Sequence, residues 1–226
     1  PRNPVVARPV EIGDRLECCG HLTAKCVNYA CAKRVLDIVG SLALLLLFLP
    51  LFVVIAVLVK TTSKGPVFYK STRVGLCGKT FSFIKFRSMR ADADRVRQQL
   101  VQQNEKDGPI FKIKNDPRIT SVGRVLRKYS LDELPQLWSV LTGDMSLVGP
   151  RPPIPSEVAQ YNDFAYQRLR VKPGITCYWQ VMGRSELSFE EWMELDNRYI
   201  REMSFWTDLK IMLLTPASVL RGEGAY

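Results

Sequence analysis

The longest apolar stretch of the chain runs without a charge for 22 residues, from Ile38 to Val59. About 20 apolar residues cross the hydrocarbon core of a bilayer as a helix, so length alone permits a spanning helix. Pro50 lies inside the stretch and lacks a backbone N–H, which predicts a kink. The arms on either side hold 12 and 9 residues. At 1.5 Å per residue these arms are roughly 18 and 14 Å long, so each reaches about half-way through the bilayer core.

Basic residues flank the apolar stretch on both sides, with Lys33 and Arg34 before it and Lys60 and Lys64 after it. The positive-inside rule places such flanks in the cytoplasm, and here it places both ends there. We therefore predict a re-entrant hairpin, a helix that enters the membrane, bends at Pro50 and returns. The alternative is a spanning helix, because proline is tolerated in membrane helices. The stretch is too long for a secretory signal peptide, and no A-x-A-like cleavage site follows it.

Downstream of the apolar stretch, aromatic and β-branched residues indicate two strands, "VFYKSTRV" and "TFSFIKFRSM", joined by the turn sequence "GLCGK". Polar residues 91–104, which include no Gly or Pro, predict an exposed helix, and residues 106–120 are broken by D-G-P and N-D-P into a loop. Residues 121–141 predict two helical pieces. The predicted fold is α+β and predominantly helical, with one small antiparallel β-hairpin in a cytosolic domain.

The C-terminal part of the chain combines proline-rich turns with helices. The segment "GPRPPIP", residues 149–155, is not expected to form regular structure, because each Pro fixes φ and disfavours helix before it. Residues 188–203 predict a helix that Ser188 caps, with Glu190 and Glu191 in its first turn and arginines in its last. Residues 209–220 are too few to span a membrane and predict a core or interfacial helix.

The net charge of +10 is concentrated directly after the apolar stretch. Between Lys60 and Lys128 there are 17 Lys and Arg against five Asp and Glu, a larger excess than that of the whole chain. Such a block favours an anionic partner: nucleic acid, membrane headgroups or a phosphorylated substrate. The sequence has no G-x-S-x-G, no Walker A loop and no Rossmann glycine fingerprint, which argues against a serine hydrolase or a dinucleotide-dependent enzyme.

The six cysteines include no C-x-x-C pair. Cys18, Cys19, Cys26 and Cys31 cluster with His21, which raises the alternative of a zinc site, but their spacing fits none of the usual ligand patterns. Reduced thiols in a cytosolic setting are the favoured interpretation. The chain begins with proline rather than methionine, which we interpret as a processed protein or a piece of a longer one.

The sequence "KYSLDELPQLW" sets Asp132 and Glu133 side by side in an apolar and basic stretch. Ser130 and Glu133 match a helix capping box, but Pro135 would then lie at the fifth helical position, where its ring and missing N–H are unfavourable. With Asp132 as the N-cap, Pro135 would lie at the third position, where no hydrogen bond is lost. Both carboxylates would then lie near a helix N-terminus, where backbone amides favour phosphate. A cap, and a phosphoryl-transfer nucleophile with a Mg²⁺-binding neighbour, both stay open on these residues alone.

Arg151 lies between Pro150 and Pro152. A rigid loop that presents a guanidinium suits bidentate recognition of phosphate. The other basic residues, including "KFRSMR" at 85–90, have the simpler interpretation of attraction to lipid headgroups beside a membrane anchor. Cations on proline-bounded loops, with a few isolated carboxylates, indicate phosphate chemistry, in which positioning and charge neutralisation dominate.

Six segments of the chain, in order, form a recognisable set of motifs: "KRVLDIVGSLALLLLFLPLFVVIAVLVK", "SKGPVFYKSTRVG", "FSFIKFRSM", "NDPRITSVGRVLRKYSLDELPQLWSVLTGDMSLVGPRPPIP", "VKPGITCYWQVMGRSELSFEEWMELDNRYI" and "LRGEGAY". Together they resemble the bacterial sugar transferase family, the monotopic polyprenyl-phosphate phosphoglycosyl transferases. The resemblance covers about residues 32–226. It implies an N-terminal linker or extension (1–31), a re-entrant membrane helix (32–60) and a cytosolic catalytic domain (61–226).

The resemblance implies transfer of a sugar 1-phosphate from a UDP-sugar to undecaprenyl phosphate, with release of UMP and a requirement for Mg²⁺. It implies that Asp132 is the nucleophile, through a covalent phosphosugar intermediate, and that Glu133 binds the metal. It places the catalytic domain on the cytoplasmic face of the bacterial inner membrane, at the first membrane step of exopolysaccharide or other cell-surface glycan assembly. The family's phosphate- and nucleotide-contacting cations correspond to Lys85, Arg87, Arg127, Arg151 and, as a further candidate, Arg184.

The partners implied are a UDP-sugar, usually of glucose or galactose, undecaprenyl phosphate and membrane lipid, with no nucleic acid; a homo-oligomer is left open. Cys177 stands where the family's P-G-I-T-G pattern has Gly, so an altered loop is expected if that position needs a positive φ. The rival hypothesis is a non-catalytic, membrane-anchored protein that binds anionic lipid or nucleic acid. It assigns no role to the pair Asp132 and Glu133 or to Arg151.

Overall fold

The computed structural model describes residues 24–222 and residue 224, and its first two helices form a bent pair. Helix α1 (Ala24–Leu47) and helix α2 (Leu49–Thr62) meet at a bend of 60°. Pro50 lies at the start of α2, where its missing N–H interrupts no helical hydrogen bond. The kink predicted at Pro50 is therefore confirmed. Among the described residues no single helix is long and apolar enough to cross a membrane; the bent pair meets that criterion only when its two helices are taken together.

The predicted β-hairpin follows the bent pair. Strand β1 (Phe68–Val74) pairs antiparallel with strand β2 (Thr80–Phe86), and the register sets Tyr69 opposite Lys85. The turn between them includes Gly78 at φ +75°, a conformation that glycine adopts without steric cost. This two-stranded sheet within a mostly helical chain confirms the α+β prediction.

Short helical segments occupy the middle of the chain. Residues 91–104, predicted as one exposed helix, form helix α3 (Ala93–Arg97) and a 3₁₀ turn (Gln98–Gln103). A loop then leads to helix α4 (Ser121–Lys128), whose N-cap Thr120 accepts a hydrogen bond from the Gly123 N–H at 2.9 Å. Helix α5 (Gln136–Thr142) follows. The two helical pieces predicted for residues 121–141 are confirmed.

A second sheet was not predicted. Strand β3 (Ser146–Val148) pairs in parallel with strand β4 (Gly174–Thr176). Three residues are too few to show a hydrophobic period, so the sequence gives no strand signal here. Gly149 and Gly174 let the two backbones approach closely, because a side chain on either would collide with main-chain atoms.

Helices complete the fold around this sheet. Two one-turn helices, α6 (Pro155–Val158) and α7 (Asp163–Tyr166), lie between β3 and β4, and residues 150–154 have no regular structure, as predicted. Helices α8 (Tyr178–Met182), α9 (Phe189–Glu202) and α10 (Phe205–Arg221) follow β4. Ser188 and Glu191 exchange the two hydrogen bonds of a capping box, at 3.2 and 2.7 Å, so the predicted start of α9 is confirmed.

Polar side chains tie α1 to the rest of the fold. Lys33 Nζ donates to the Val148 carbonyl at 2.9 Å and pairs with the buried Asp208 carboxylate at 2.7 Å. Arg34 donates to two carbonyls of the last turn of α5 at 2.7 and 2.8 Å, where a cation is favoured by the helix dipole. Asp37 accepts a hydrogen bond from the backbone of β3 at 2.8 Å. The two cations expected to flank a membrane segment therefore bind the folded domain.

The outward sides of α1 and α2 are apolar. Several large side chains are more than half exposed, namely Val39, Leu46, Leu47, Val53 and Val57. The inward side of α2 packs Ile55 and Val59 against Phe86 and Leu126. The bent pair thus has one face in the core and one apolar face that no described residue covers.

Candidate active site

Asp132 and Glu133 lie in a 3₁₀ turn (Leu131–Glu133), not in an α-helix. Ser130 just before it adopts a left-handed conformation, with φ +51°, and its side chain caps nothing. Helix α5 begins only at Gln136, after Pro135. The capping box of Ser130 with Glu133 and the alternative N-cap at Asp132 are therefore both wrong. Pro135 separates the turn from the helix, so the two acids stand on a short segment that follows the strained Ser130.

Both carboxylates face a cavity of about 280 Å³. Asp132 is only 4 % exposed, yet neither carboxylate forms a hydrogen bond or ion pair with any described residue. Burial and, next, the neighbouring Asp132 carboxylate raise the pKa of Glu133. Two adjacent acids without protein partners are costly in such a place unless a cation or ligand compensates them.

Four of the five cations implied by the resemblance line this cavity together with the acids: Lys85, Arg127, Arg151 and Arg184. They come from β2, α4, the proline-bounded loop and a 3₁₀ turn (Arg184–Glu186). Burial lowers the pKa of Lys85 to about 8, with the Asp132 carboxylate acting in the opposite direction. A partly desolvated cation of this kind binds phosphate strongly, because little water competes with the ligand.

Arg184 is the most deeply buried of these cations, at 6 % exposed. All three of its guanidinium nitrogens are buried without a hydrogen-bond partner among the described residues. Burial lowers its pKa, and the Glu133 carboxylate opposes that effect. An unpaired guanidinium on a cavity wall is able to bind an anionic ligand.

Arg87 is the exception among the predicted cations. It lies outside the cavity wall, and its Nη2 donates to the Ser63 carbonyl at 2.7 Å and the Ser63 hydroxyl at 2.8 Å, at the end of α2. Strand β2 ends at Phe86, so the alternation that directs Lys85 toward the cavity does not extend to Arg87. The structure brings together the other four cations and leaves Arg87 at the base of the bent pair.

The sequence did not identify several residues of the cavity. Arg73 on β1 lines it, is 8 % exposed, and donates to the Pro152 carbonyl at 3.1 Å. Burial, then the nearby Arg151 and Arg127, lower the pKa of Lys112 to about 7. The only sequence signal was the general basic excess of this region, which does not separate cavity residues from surface ones. Further cations and aromatic side chains complete the wall: Lys106, Arg118, Tyr69, Phe111, Trp179, Phe189 and Trp192.

Metal binding by protein groups alone finds no support among residues 24–222, where no cluster of three or more His, Cys, Asp and Glu has suitable geometry. A cation at this site would need oxygen ligands from a substrate beside the acids. Cys18, Cys19 and His21 of the cysteine cluster lie outside the described residues, and Cys31 is an exposed thiol. Cys77 is disulfide-bonded, so the expectation of reduced thiols is wrong for that residue. Cys177 is buried with extended backbone at φ −160°, which any residue adopts, so the altered loop considered for this position is not observed.

The arrangement suits transfer of a phosphoryl-bearing group. An unpaired carboxylate can attack phosphorus, a second acid can hold a metal ion, and four converging cations can neutralise a diphosphate. The aromatic wall offers flat apolar surface to a base or a sugar ring. A cavity with these features is more specific than a basic patch that attracts headgroups.

Known proteins resemble this chain over most of its length. The family model described as bacterial sugar transferase matches residues 28–222. The chain is 47% identical over 201 residues to the galactosyl transferase CpsE of Streptococcus agalactiae serotype III, covering 88% of this chain and 44% of that protein. It is 45% identical over 202 residues to a UDP-glucose:undecaprenyl-phosphate glucose-1-phosphate transferase of Klebsiella pneumoniae, covering 86% and 41%.

The chain thus spans less than half the length of these two relatives. It spans most of a third, the exopolysaccharide production protein ExoY of Rhizobium meliloti, with 41% identity over 199 residues that cover 86% of this chain and 88% of that protein. The match of the family model extends from the bent helix pair through the cavity to the end of α10. The chain therefore belongs to the bacterial sugar transferase family.

Proposed function

We propose that this protein transfers a sugar 1-phosphate from a UDP-sugar to undecaprenyl phosphate and releases UMP, at the first membrane step of exopolysaccharide or other cell-surface glycan assembly. Family membership and the activity for which the Klebsiella pneumoniae relative is named support this class of donor and acceptor. One observation carries the proposal: Asp132 is a buried carboxylate without a protein partner, in a cavity walled by cations.

The transfer proceeds in two displacements. An oxygen of Asp132 attacks the phosphorus that bears the sugar; the bond from that phosphorus to the bridging oxygen breaks, and UMP leaves with the electron pair. An oxygen of undecaprenyl phosphate then attacks the same phosphorus, the bond to Asp132 breaks, and the free carboxylate is restored. Two displacements at one site predict ping-pong kinetics.

The cations stabilise the charge that moves in each step. Lys85, Arg127, Arg151 and Arg184 surround the acids, so the diphosphate of the donor, with its negative charges, would be held close to Asp132. They also stabilise the charge that develops on the departing UMP oxygen. Without them the carboxylate and the diphosphate would repel each other.

Mg²⁺ is the cofactor in this proposal, and the donor groups fit it. Mg²⁺ is usually held by one or two carboxylates together with substrate phosphates and water. Glu133 offers an oxygen ligand that has no partner among residues 24–222, on the same wall as Asp132. Glu133 would hold the ion, which when bound neutralises charge on the diphosphate.

The bent pair α1 and α2 forms a re-entrant membrane hairpin in this proposal, with the catalytic domain on the cytoplasmic side of the inner membrane. Its apolar outer face and its 60° bend support that placement. Its two ends are held by the same folded domain, through Lys33 and Arg34 at one end and Arg87 at the other. A helix that crossed the bilayer would separate those ends.

The decisive experiment measures UMP release from a panel of UDP-sugars with undecaprenyl phosphate and Mg²⁺. We expect release by the wild type and by Asp92→Asn, an exposed aspartate control, and none by Asp132→Asn. Undiminished release by Asp132→Asn would remove the nucleophile from the proposal. No release from any UDP-sugar by the wild type would favour the anionic-lipid or nucleic-acid binder instead.

Two further tests address the metal and the hairpin. Glu133→Gln is expected to raise the Mg²⁺ concentration needed for half-maximal rate, whereas Glu190→Gln, at an exposed glutamate, is expected not to; equal requirements would contradict the metal role. Reporter tags at the two termini are expected to lie on the same, cytoplasmic side. Tags on opposite sides would refute the re-entrant hairpin.

A further inference from the structure

The loop that presents Arg151 is held through its carbonyl groups. Residues 149–155 include four prolines and so offer few backbone N–H donors. Four consecutive carbonyls of the loop nevertheless each accept a hydrogen bond. The donors are Gly174 N to Pro150 at 2.9 Å, Arg168 Nη2 to Arg151 at 2.9 Å, Arg73 Nη1 to Pro152 at 3.1 Å, and Val74 N to Pro153 at 2.9 Å.

Arg168 is a side-chain donor that lies behind the cavity wall, at 4 % exposed. Its Nη2 pairs with the fully buried Asp196 carboxylate at 2.8 Å, and its Nη1 donates to the Tyr161 hydroxyl at 2.9 Å. A buried ion pair contributes little net stability compared with apolar packing, but it fixes geometry strongly, because breaking it leaves an uncompensated charge. The hydrogen bonds of Nη1 to Tyr161 and of Nη2 to the Arg151 carbonyl orient the Arg168 guanidinium, and Asp196 supplies its counter-charge.

The same guanidinium connects to the cavity through an aromatic ring. It lies 5.2 Å from the centre of the Trp192 ring, and the Arg151 guanidinium lies 5.9 Å from that ring. Trp192 and Arg151 both line the cavity, whereas Arg168 does not. Arg168 thus reaches Arg151 by two routes. It donates directly to the Arg151 backbone carbonyl, and it shares with the Arg151 side chain the ring of Trp192.

We propose that Arg168, with Asp196 as its counter-charge, is a positioning residue that holds the Arg151 loop and Trp192 so that the Arg151 guanidinium faces the phosphates of the ligand. This inference rests on the proposed function, in which Arg151 binds a nucleoside diphosphate. Arg168 itself touches no reacting group. Its effect on transfer passes entirely through Arg151, and a displacement of about 1 Å at such a contact can lower a rate by about 100-fold.

A double-mutant cycle tests this route. Arg168→Lys keeps a charge for Asp196 but lacks the planar fork that also reaches the Arg151 carbonyl. In the wild-type background we expect Arg168→Lys to lower both the affinity for UDP, measured by calorimetry, and kcat/KM for UMP release by at least about 10-fold. In an Arg151→Ala background we expect it to lower each quantity by less than about twofold. Arg198→Lys, at an exposed arginine paired with Glu202, is expected to change neither quantity.

Equal losses in both backgrounds would overturn the inference, since Arg168 would then act independently of Arg151. No loss in the wild-type background would also overturn it. Tyr161→Phe removes one partner of Arg168 without touching the cavity wall, and serves if Arg168→Lys does not fold; we expect a smaller loss that again disappears with Arg151→Ala. Absence of UMP release by the wild type would refute the proposed function alone, because the UDP-binding cycle still tests the coupling.

Discussion

Arg87 could have either of two roles: it could bind the substrate, or it could support the bent helix pair. The resemblance predicts a phosphate contact, whereas the structure shows Nη2 bound to Ser63 at 2.7 and 2.8 Å, with Val59 O at 3.4 Å. The side chain is 5 % exposed, and burial lowers its pKa. Arg87→Met keeps similar volume and removes the charge. We expect this variant to weaken the docking of α2 and to leave substrate affinity nearly unchanged.

The size of the effect follows from two opposing contributions. Each lost hydrogen bond to a charged group costs about 1.5–3 kcal/mol, so the two short bonds to Ser63 together account for about 3–6 kcal/mol. The methionine also removes the penalty of a buried cation, several kcal/mol, and here Nε and Nη1 of Arg87 have no partner among the described residues. The net destabilisation expected is about 2 kcal/mol. For a domain of this length that corresponds to a fall in Tm of about 4–8 °C.

The assay combines thermal unfolding in detergent with the steady-state KM for the UDP-sugar. Lys85→Met, two positions away, is the comparison, and is expected to raise KM by about 10-fold or more because it removes a charge-assisted phosphate contact. Arg90→Met, at an exposed arginine, is the control for both measurements and is expected to change stability by less than about 0.5 kcal/mol. A KM for Arg87→Met that rises as far as that of Lys85→Met, with an unchanged Tm, would refute the structural role.

Three further predictions follow from the site and its supports. Burial lowers the pKa of Lys85 to about 8, so its charge is lost as pH rises through that value. The KM for the UDP-sugar should therefore rise between pH 7 and pH 9, and Lys85→Arg should flatten this dependence of KM on pH. If KM depends on pH in the same way for Lys85→Arg and the wild type, the prediction is contradicted. Gly123→Ala would place a methyl group on the Ser88 carbonyl and should lower the free energy of unfolding by about 3 kcal/mol; a denaturant midpoint equal to that of the wild type would show that α4 can shift. Arg34→Met should lower the free energy of unfolding by about 3 kcal/mol, because two charge-assisted hydrogen bonds to the end of α5 are lost. A Tm within about 1 °C of that of the wild type would contradict this prediction.

Local signals predicted much of the secondary structure. The proline in the apolar run predicted the bend, because a missing N–H acts within one helical turn. Ser188 as a cap, with Glu190 and Glu191 in the first turn, predicted the start of α9 for the same local reason. The strands β3 and β4 were not predicted, since three residues show no period and their pairing joins segments that are far apart in the chain.

In the candidate site, too, some features were predicted from local sequence and others were not. The proline-bounded Arg151 was singled out from its immediate neighbours, whereas for Asp132 and Glu133 the neighbours left a cap and a nucleophile both open and only the family resemblance implied a catalytic role. The local structure around the two acids was not predicted. Ser130 and Glu133 match the residue types of a capping box, but the chain forms a 3₁₀ turn there and begins α5 after Pro135. A local motif specifies which hydrogen bonds are available, and the packing of the rest of the chain decides which of them form.

The sequence by itself determined the bend in the apolar segment, the β1–β2 pair and the main helices, because each depends on residues close together in the chain. Only the tertiary structure decided that Lys85 faces the cavity while Arg87 supports α2, and that Lys33 and Arg34 bind the folded domain. These outcomes depend on contacts between distant segments. Periodicity shows which side of an element is apolar but not which partner that side meets.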